Sequence, residues 1–169
     1  MKKIKTFALA LAALLTIQSA FGQTQEQQDL RAEENLKKGM EFLAKNKTKE
    51  GVVELPNGLQ YRIIRQGTGI KPAATDTVTV HYTGTLIDGT IFDCSRRRDR
   101  TSSFALNRVI RGWTEGFQHL NEGTKAVLYI PSDLAYGSRQ RGEVISPNSV
   151  LIFEVELFKV SKFVPKEEE

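Results

Sequence analysis

From Gly51 onward the chain is a succession of short runs in which apolar and polar residues alternate. A period of two admits little besides half-buried strands. In TVTVHYTG, Val78, Val80 and Tyr82 share one face, while Thr79 and His81 share the other. Leu59, Tyr61 and Ile63 alternate with polar neighbours after the turn Pro56-Asn57-Gly58, and Gly67-Thr68-Gly69 ends that run. The runs Thr124 to Ile130 and Val150 to Val160 show the same period. Helical spacing interrupts the pattern once: Ile110, Trp113, Phe117 and Leu120 fall on one face, and Gly123 follows as a stop. Several strands and one short helix predict an α+β domain, an antiparallel sheet with the helix laid across one side.

The rest of the chain frames that domain. With 169 residues there is room for one globular unit and a modest extension. The stretch MKKIKTFALALAALLTIQSAFG has three lysines, an apolar run from Phe7 to Ile17, and small residues at Ala20 and Gly22. The run is shorter than the roughly 20 residues a bilayer span needs, so residues 1–22 read as a cleaved secretory signal peptide rather than a stable membrane anchor. Its removal takes away Lys2, Lys3 and Lys5 and no acids, lowering the formal charge of +4 to about +1. The high pI is therefore partly an export feature, and a nucleic-acid partner loses most of its support. The single Cys94 cannot form an internal disulfide, so an exported domain of this size must rest on an ordinary hydrophobic core. Residues 23–50 form a helical segment: strong helix formers with Leu30, Leu36, Met40 and Leu43 near a three-to-four spacing. A stripe that thin either docks on a partner copy or on the following domain, or leaves a frayed, solvated linker. Residues 165–169 are an acidic tail.

Most catalytic chemistries can be tested by counting. Two histidines, His81 and His119, sit in different elements, and no cysteine pair accompanies them. A zinc site thus has too few ligands, and no metal or cofactor is expected. A serine or cysteine nucleophile lacks a base placed beside it, and Gly67-Thr68-Gly69 lacks the further glycine and lysine of a phosphate loop. What remains is a supply of aromatic residues near glycines and loops: Tyr82, Phe92, Trp113, Tyr136 and Phe153. Each one alone reads more readily as core packing. As a set they fit the aromatic walls of a cavity for an apolar ligand.

VHYTGTLIDGTIFDCS, VIRGWTEGF, IPSDLAYG and PNSVLIFEVELF, in this order and at these separations, resemble the FKBP-type peptidyl-prolyl isomerases, the immunophilins that bind macrolides. The resemblance covers about residues 51–164. The leading helix followed by EGVVELPNGLQYRII is similar to the exported bacterial branch that includes the macrophage infectivity potentiators, whose members often dimerise through N-terminal helices. It implies a curved antiparallel sheet of five to six strands wrapped around one short helix, preceded here by the N-terminal helix. It implies a peptidyl-prolyl isomerase of the periplasm or outside the cell, acting on proline-containing unfolded chains. A holdase-type chaperone with incidental turnover is the alternative. Carried over by motif, the pocket comprises Tyr82, Phe92, Asp93, Val109, Ile110, Trp113, Tyr136, Ile145 and Phe153, with Trp113 at its base.

The resemblance gives the backbone N–H of Ile145 and the Tyr136 hydroxyl as donors to substrate carbonyls. It also pairs Arg98 with Asp93 and the Tyr82 hydroxyl, a reading favoured over acid-base work because an unpaired carboxylate beside an apolar pocket is costly. Arg96, Arg97 and Arg100 then read as solvated loop residues. Two positions depart from the pattern. Ser102 stands where many members carry an aromatic residue, and Ser146 replaces the first of two prolines after Ile145. Both bear on macrolide affinity and substrate choice.

Overall fold

A computed structural model describes the backbone of residues 3–165, and side chains from residue 25 onward. Helix α1 (Lys3–Asn46) leads into β1 (Val52–Glu54), β2 (Gln60–Arg65), β3 (Thr77–Thr85), β4 (Ile91–Cys94) and β5 (Ser102–Ala105). Helix α2 (Arg111–Phe117), β6 (Lys125–Ile130) and β7 (Leu151–Ser161) complete the order. The backbone of the expected signal segment is continuous with α1. The expected acidic tail lies, from Lys166 on, outside the described residues.

The strands form one antiparallel sheet in the order β1-β2-β6-β7-β3-β4, and β5 also pairs with β3. β4 pairs with Thr83–Thr85 and β5 with Thr77–Val80, so these two short strands divide one edge of β3 between them. Seven strands therefore make a sheet six strands wide, which is how the expected five to six are realised. Irregularities at Ile63/Arg65, Thr79/Val80 and Gly84/Thr85 bend the sheet. At the second of these, Thr79 faces Lys159 and Val80 faces Leu157, leaving Phe158 unpaired and 46% exposed.

Helix α2 crosses the concave face on two glycines. A Cβ at Gly112 would lie 2.3 Å from Cγ2 of Ile130, and one at Gly116 would lie 3.2 Å from the Leu128 methyls. Any larger residue at 112 would push the helix off β6. Its own Phe117 and the residues Leu59, Val78, Val80, Leu120, Leu128, Ile130 and Leu157 are fully buried in the core.

Helix α1 seats its C-terminal half on the domain by a face the apolar stripe did not mark. Asn35 Nδ2 donates to the Pro147 carbonyl at 2.9 Å, and Asn148 Nδ2 to that of Ala32 at 3.1 Å. Gln60 Nε2 donates to the Leu43 carbonyl and Asn46 Nδ2 to Gln60 Oε1, each at 2.9 Å, with Asn46 and Gln60 both fully buried. Gly39 lets Val150 approach, and the Phe42 ring lies 6.1 Å from that of Tyr129. Of the four stripe residues, Leu30, Leu36 and Met40 remain 60%, 45% and 65% exposed, and Leu43 alone is half-buried. A helix face can be seated by amides and a glycine as well as by leucines, and apolar periodicity does not register such a face.

Candidate active site

The N-terminal end of α2 opens into a cavity of about 1020 Å³ between the concave face of the sheet and the loop that follows Tyr136. Trp113 is 4% exposed and forms its floor. Four rings surround the indole: Tyr82 at 5.3 Å, Phe104 at 5.3 Å, Phe117 at 5.1 Å and Phe153 at 5.2 Å between centroids. Their planes stand at 63° to 90° to the indole, the edge-to-face arrangement that aligns positive ring edges with negative faces. Among the described residues the indole Nε1 has no hydrogen-bond acceptor. Phe92 extends the wall, edge-on to Phe153 at 5.4 Å.

That wall depends on a residue the sequence did not single out. A Cβ on Gly84 would lie 2.5 Å from Cζ of Phe92 and 2.9 Å from Cε1 of Phe153. Gly84 is the place where β3 passes directly behind both rings, and YTG in the sequence is the trace of that approach.

The polar rim is built by β3, β4 and the turn Ser95–Arg98. The Tyr82 hydroxyl donates to Asp93 Oδ2. Arg98 donates to Asp93 Oδ1 through Nη1 at 2.8 Å and to the Tyr82 hydroxyl through Nη2 at 2.9 Å. The Cys94 backbone N–H also donates to Asp93 Oδ1, at 2.8 Å. Burial alone would raise the Asp93 carboxyl, but hydrogen bonds from Tyr82 and Arg98 and the Arg98 charge hold it below the usual carboxylate range. Burial, joined by the bond to Asp93, pushes Tyr82 up to about 12. Ser95, fully buried, accepts from the Tyr82 backbone N–H at 2.9 Å and meets His81 Nδ1 at 3.0 Å, fixing the strand that carries Tyr82.

On the other side the loop after Tyr136 closes on itself. Arg141 N–H donates to the Ile145 carbonyl at 2.9 Å, and Ile145 N–H donates to the Arg141 carbonyl at 3.3 Å. The Ile145 N–H, expected to point at a substrate carbonyl, is thus engaged by a long bond. Ser146 accepts from the Ser149 hydroxyl at 2.7 Å through its carbonyl, a tie that a proline at 146 would leave possible.

Of the residues expected at the site, Tyr82, Phe92, Asp93, Val109, Ile110, Trp113, Tyr136, Ile145 and Phe153 all line the one cavity. Arg98 stands behind it and acts on Asp93 and Tyr82. Sequence reasoning missed Phe104, Ala135 and the charged rim of Arg108, Arg111, Arg141 and Glu143. Phe104 had a signal, its place two residues after Ser102 on the same face of β5. Ser102 itself is not among the lining residues. Among the described residues no three His, Cys, Asp or Glu side chains gather to hold a metal ion.

The family model described as FKBP-type peptidyl-prolyl cis-trans isomerase matches residues 68–158, and that of the domain amino terminal to it matches residues 4–63. The outer membrane protein MIP of Legionella longbeachae is 52% identical over 132 residues, 78% of this chain and 57% of that protein. The FKBP-type peptidyl-prolyl cis-trans isomerase FkpA of Aeromonas hydrophila is 52% identical over 139 residues, 82% of this chain and 52% of its own length. This chain therefore spans a little over half the length of these relatives. The crystal structure of FkpA from Escherichia coli superposes with a TM-score of 0.81 at 38% identity, covering 95% of this chain and 72% of that one.

Proposed function

We propose that this chain, which belongs to the FKBP-type peptidyl-prolyl cis-trans isomerase family, accelerates rotation about X-Pro bonds and thereby the proline-limited folding of exported polypeptides. The carrying observation is the open cavity floored by a nearly buried indole and walled by edge-on rings. An X-Pro bond rotates through a twisted amide with a barrier of roughly 18 to 20 kcal/mol, because twisting breaks the resonance between nitrogen and carbonyl. The planar form is the more polar of the two, so water stabilises it more. A proline ring resting on Trp113 places the imide where solvent is excluded, and the ground state loses more than the transition state does. Shape complementarity to the twisted bond adds differential binding. No covalent step is required.

In this reading Asp93 stays ionised and paired, and orients the Tyr82 hydroxyl at the rim rather than moving protons. The Tyr136 hydroxyl donates to a substrate carbonyl. The Ile145 N–H exchanges its 3.3 Å bond to Arg141 for a second one. The demand is modest: bringing a process of tens to hundreds of seconds below about one second requires a hundredfold acceleration, or roughly 3 kcal/mol. A macrolide inhibitor of immunophilins would compete for the same cavity. The proposed compartment is the periplasm or the cell exterior, on the strength of the lysine-led apolar leader. Among the described residues no helix is long and apolar enough to cross a membrane.

The test is refolding of a protein whose slow phase is set by proline isomerisation, with and without an immunophilin inhibitor. Asp93→Ala, Trp113→Ala and Phe153→Ala should each slow the catalysed phase about tenfold or more, with circular dichroism showing that the fold persists. Full activity in all three variants would overturn the site.

A second reading rests on α1. Its exposed Leu30, Leu36 and Met40 are placed to pair with the same face of a second copy, or to capture unfolded clients as a holdase. Suppression of aggregation that survives the pocket variants and vanishes when residues 24–50 are deleted would favour the holdase.

A further inference from the structure

The loop that carries Ile145 is gripped from outside the cavity. It leaves the domain at Gly137 and returns at Asn148, and its neck is closed by the Asn148 N–H, which donates to the Gly137 carbonyl at 2.8 Å. Both residues hold left-handed backbone, with φ of 57° and 59°, a conformation that glycine adopts freely and asparagine more readily than most side chains. Between them Arg141 to Ile145 line the cavity, and the paired Arg141–Ile145 bonds tie the loop to itself rather than to the sheet.

The grip comes from α1. Ala32, Asn35 and Gly39 lie on one helical face, three and four residues apart. The Ala32 carbonyl accepts from Asn148 Nδ2, and Asn35 Nδ2 donates to the Pro147 carbonyl. Gly39 admits Val150, whose Cγ2 would stand 2.8 Å from a Cβ at that position. One face of the helix thus holds the chain at 147, 148 and 150, and the first of these is two residues from Ile145. A seat of leucines would hold the helix to the domain; amides bonded to loop backbone hold the loop as well.

We propose that α1 belongs to the architecture of the active site: Asn35 and Asn148 are positioning residues that fix the neck of the loop and, with it, the direction of the Ile145 N–H. The proposal rests on the isomerase reading, in which that N–H gives up its 3.3 Å bond to Arg141 for a substrate carbonyl. Hydrogen bonds weaken steeply with distance and angle, so a loop that swings at its neck presents the donor correctly for only part of the time. The fraction of molecules competent to bind falls, and the apparent affinity falls in proportion. Asn35 is not among the residues lining the cavity, so it reaches the substrate only through the loop.

The test uses the full chain carrying Asn35→Asp, a change of nearly the same shape that removes the donor to Pro147. Asn46→Ala is the comparison: it breaks the bond to Gln60 at the far end of the same seat without touching the loop. For each protein, kcat and KM are measured on a short proline peptide in an assay free of auxiliary protease, amide exchange at Arg141 and Ile145 is followed by NMR, and stability is read from urea unfolding. Asn35→Asp should raise KM about three- to tenfold, the factor one lost hydrogen bond supplies, with kcat changed less than about twofold. Exchange at the two amides should quicken by a similar factor. Asn46→Ala should lower the urea midpoint and leave KM and both exchange rates as in the wild type. Wild-type KM and exchange in Asn35→Asp, or an equal rise of KM in Asn46→Ala, would overturn the positioning role and leave the isomerase standing. Absence of turnover by the wild type would instead overturn the isomerase reading, and the exchange rates would still decide whether α1 holds the loop.

Discussion

Two aspartates show how one side chain can hold two parts of this chain together. Asp93 ties β3, β4 and the Ser95–Arg98 turn at the rim of the cavity. Asp76 does the same at the end of the domain: its carboxylate accepts from the Ala73 N–H at 2.7 Å, the Phe163 N–H at 2.9 Å and Lys162 Nζ at 2.8 Å, latching the chain after β7 onto the loop before β3. Burial would raise its carboxyl, but the bonds from Lys162, Ala73 and Phe163 overcome that and hold it at about 2. A carboxyl lowered on folding stabilises the native state above its unfolded value near ~3.9, and that contribution is lost as pH falls through the folded value. Asp76→Asn should therefore lower the urea midpoint at pH 7, and the gap to wild type should close between about pH 4 and about pH 2, where the wild-type carboxyl itself becomes neutral. A gap that stays constant over that range would mean the side chain acts through shape and not charge.

Among the elements, α2 is the one on which the site turns, since it carries Trp113 and opens at the cavity. Its height above β6 is set by Gly112 against Ile130. Gly112→Ala should cost about 1 to 3 kcal/mol by overpacking, and Ile130→Val in the same molecule should recover part of it, a coupling measurable as a double-mutant cycle in urea. Additive losses would show that the two residues do not share the contact. Four strands, β2, β3, β6 and β7, and α2 were legible in the sequence because period two and period three-to-four follow the faces of the elements, most plainly in β3, which alternates in burial from Thr77 to Thr85; β1, β4 and β5 are too short to show a period. The walls of the cavity were legible through the motifs that carry them. The seat of α1 was not, because apart from the Phe42 ring beside Tyr129 the contacts described for it come from amides and a glycine, and such contacts leave no apolar stripe. Nor was the charged rim, since Arg141 joins Arg108 and Arg111 only once the loop after Tyr136 folds over the cavity. Gly84 announced itself merely as a glycine in a strand, and only the positions of Phe92 and Phe153 say why it is there.

At the scale of the molecule, one face of α1 is anchored to the domain while Leu36 and Met40 stay exposed one turn apart. If that face pairs with a second copy, Leu36→Asp/Met40→Asp should convert a dimer to a monomer in sedimentation velocity, without changing turnover of short proline peptides whose site is complete in one chain. Identical sedimentation of variant and wild type would remove the dimer. The chain's single tryptophan is also the floor of the cavity, 4% exposed and ringed by aromatic edges. Its emission therefore reports one place and no other. A guest settling on the indole must alter intensity or wavelength, so occupancy of the recess can be titrated optically with the unlabelled protein, and departures of that signal from backbone melting will time the loosening of the recess against collapse of the whole.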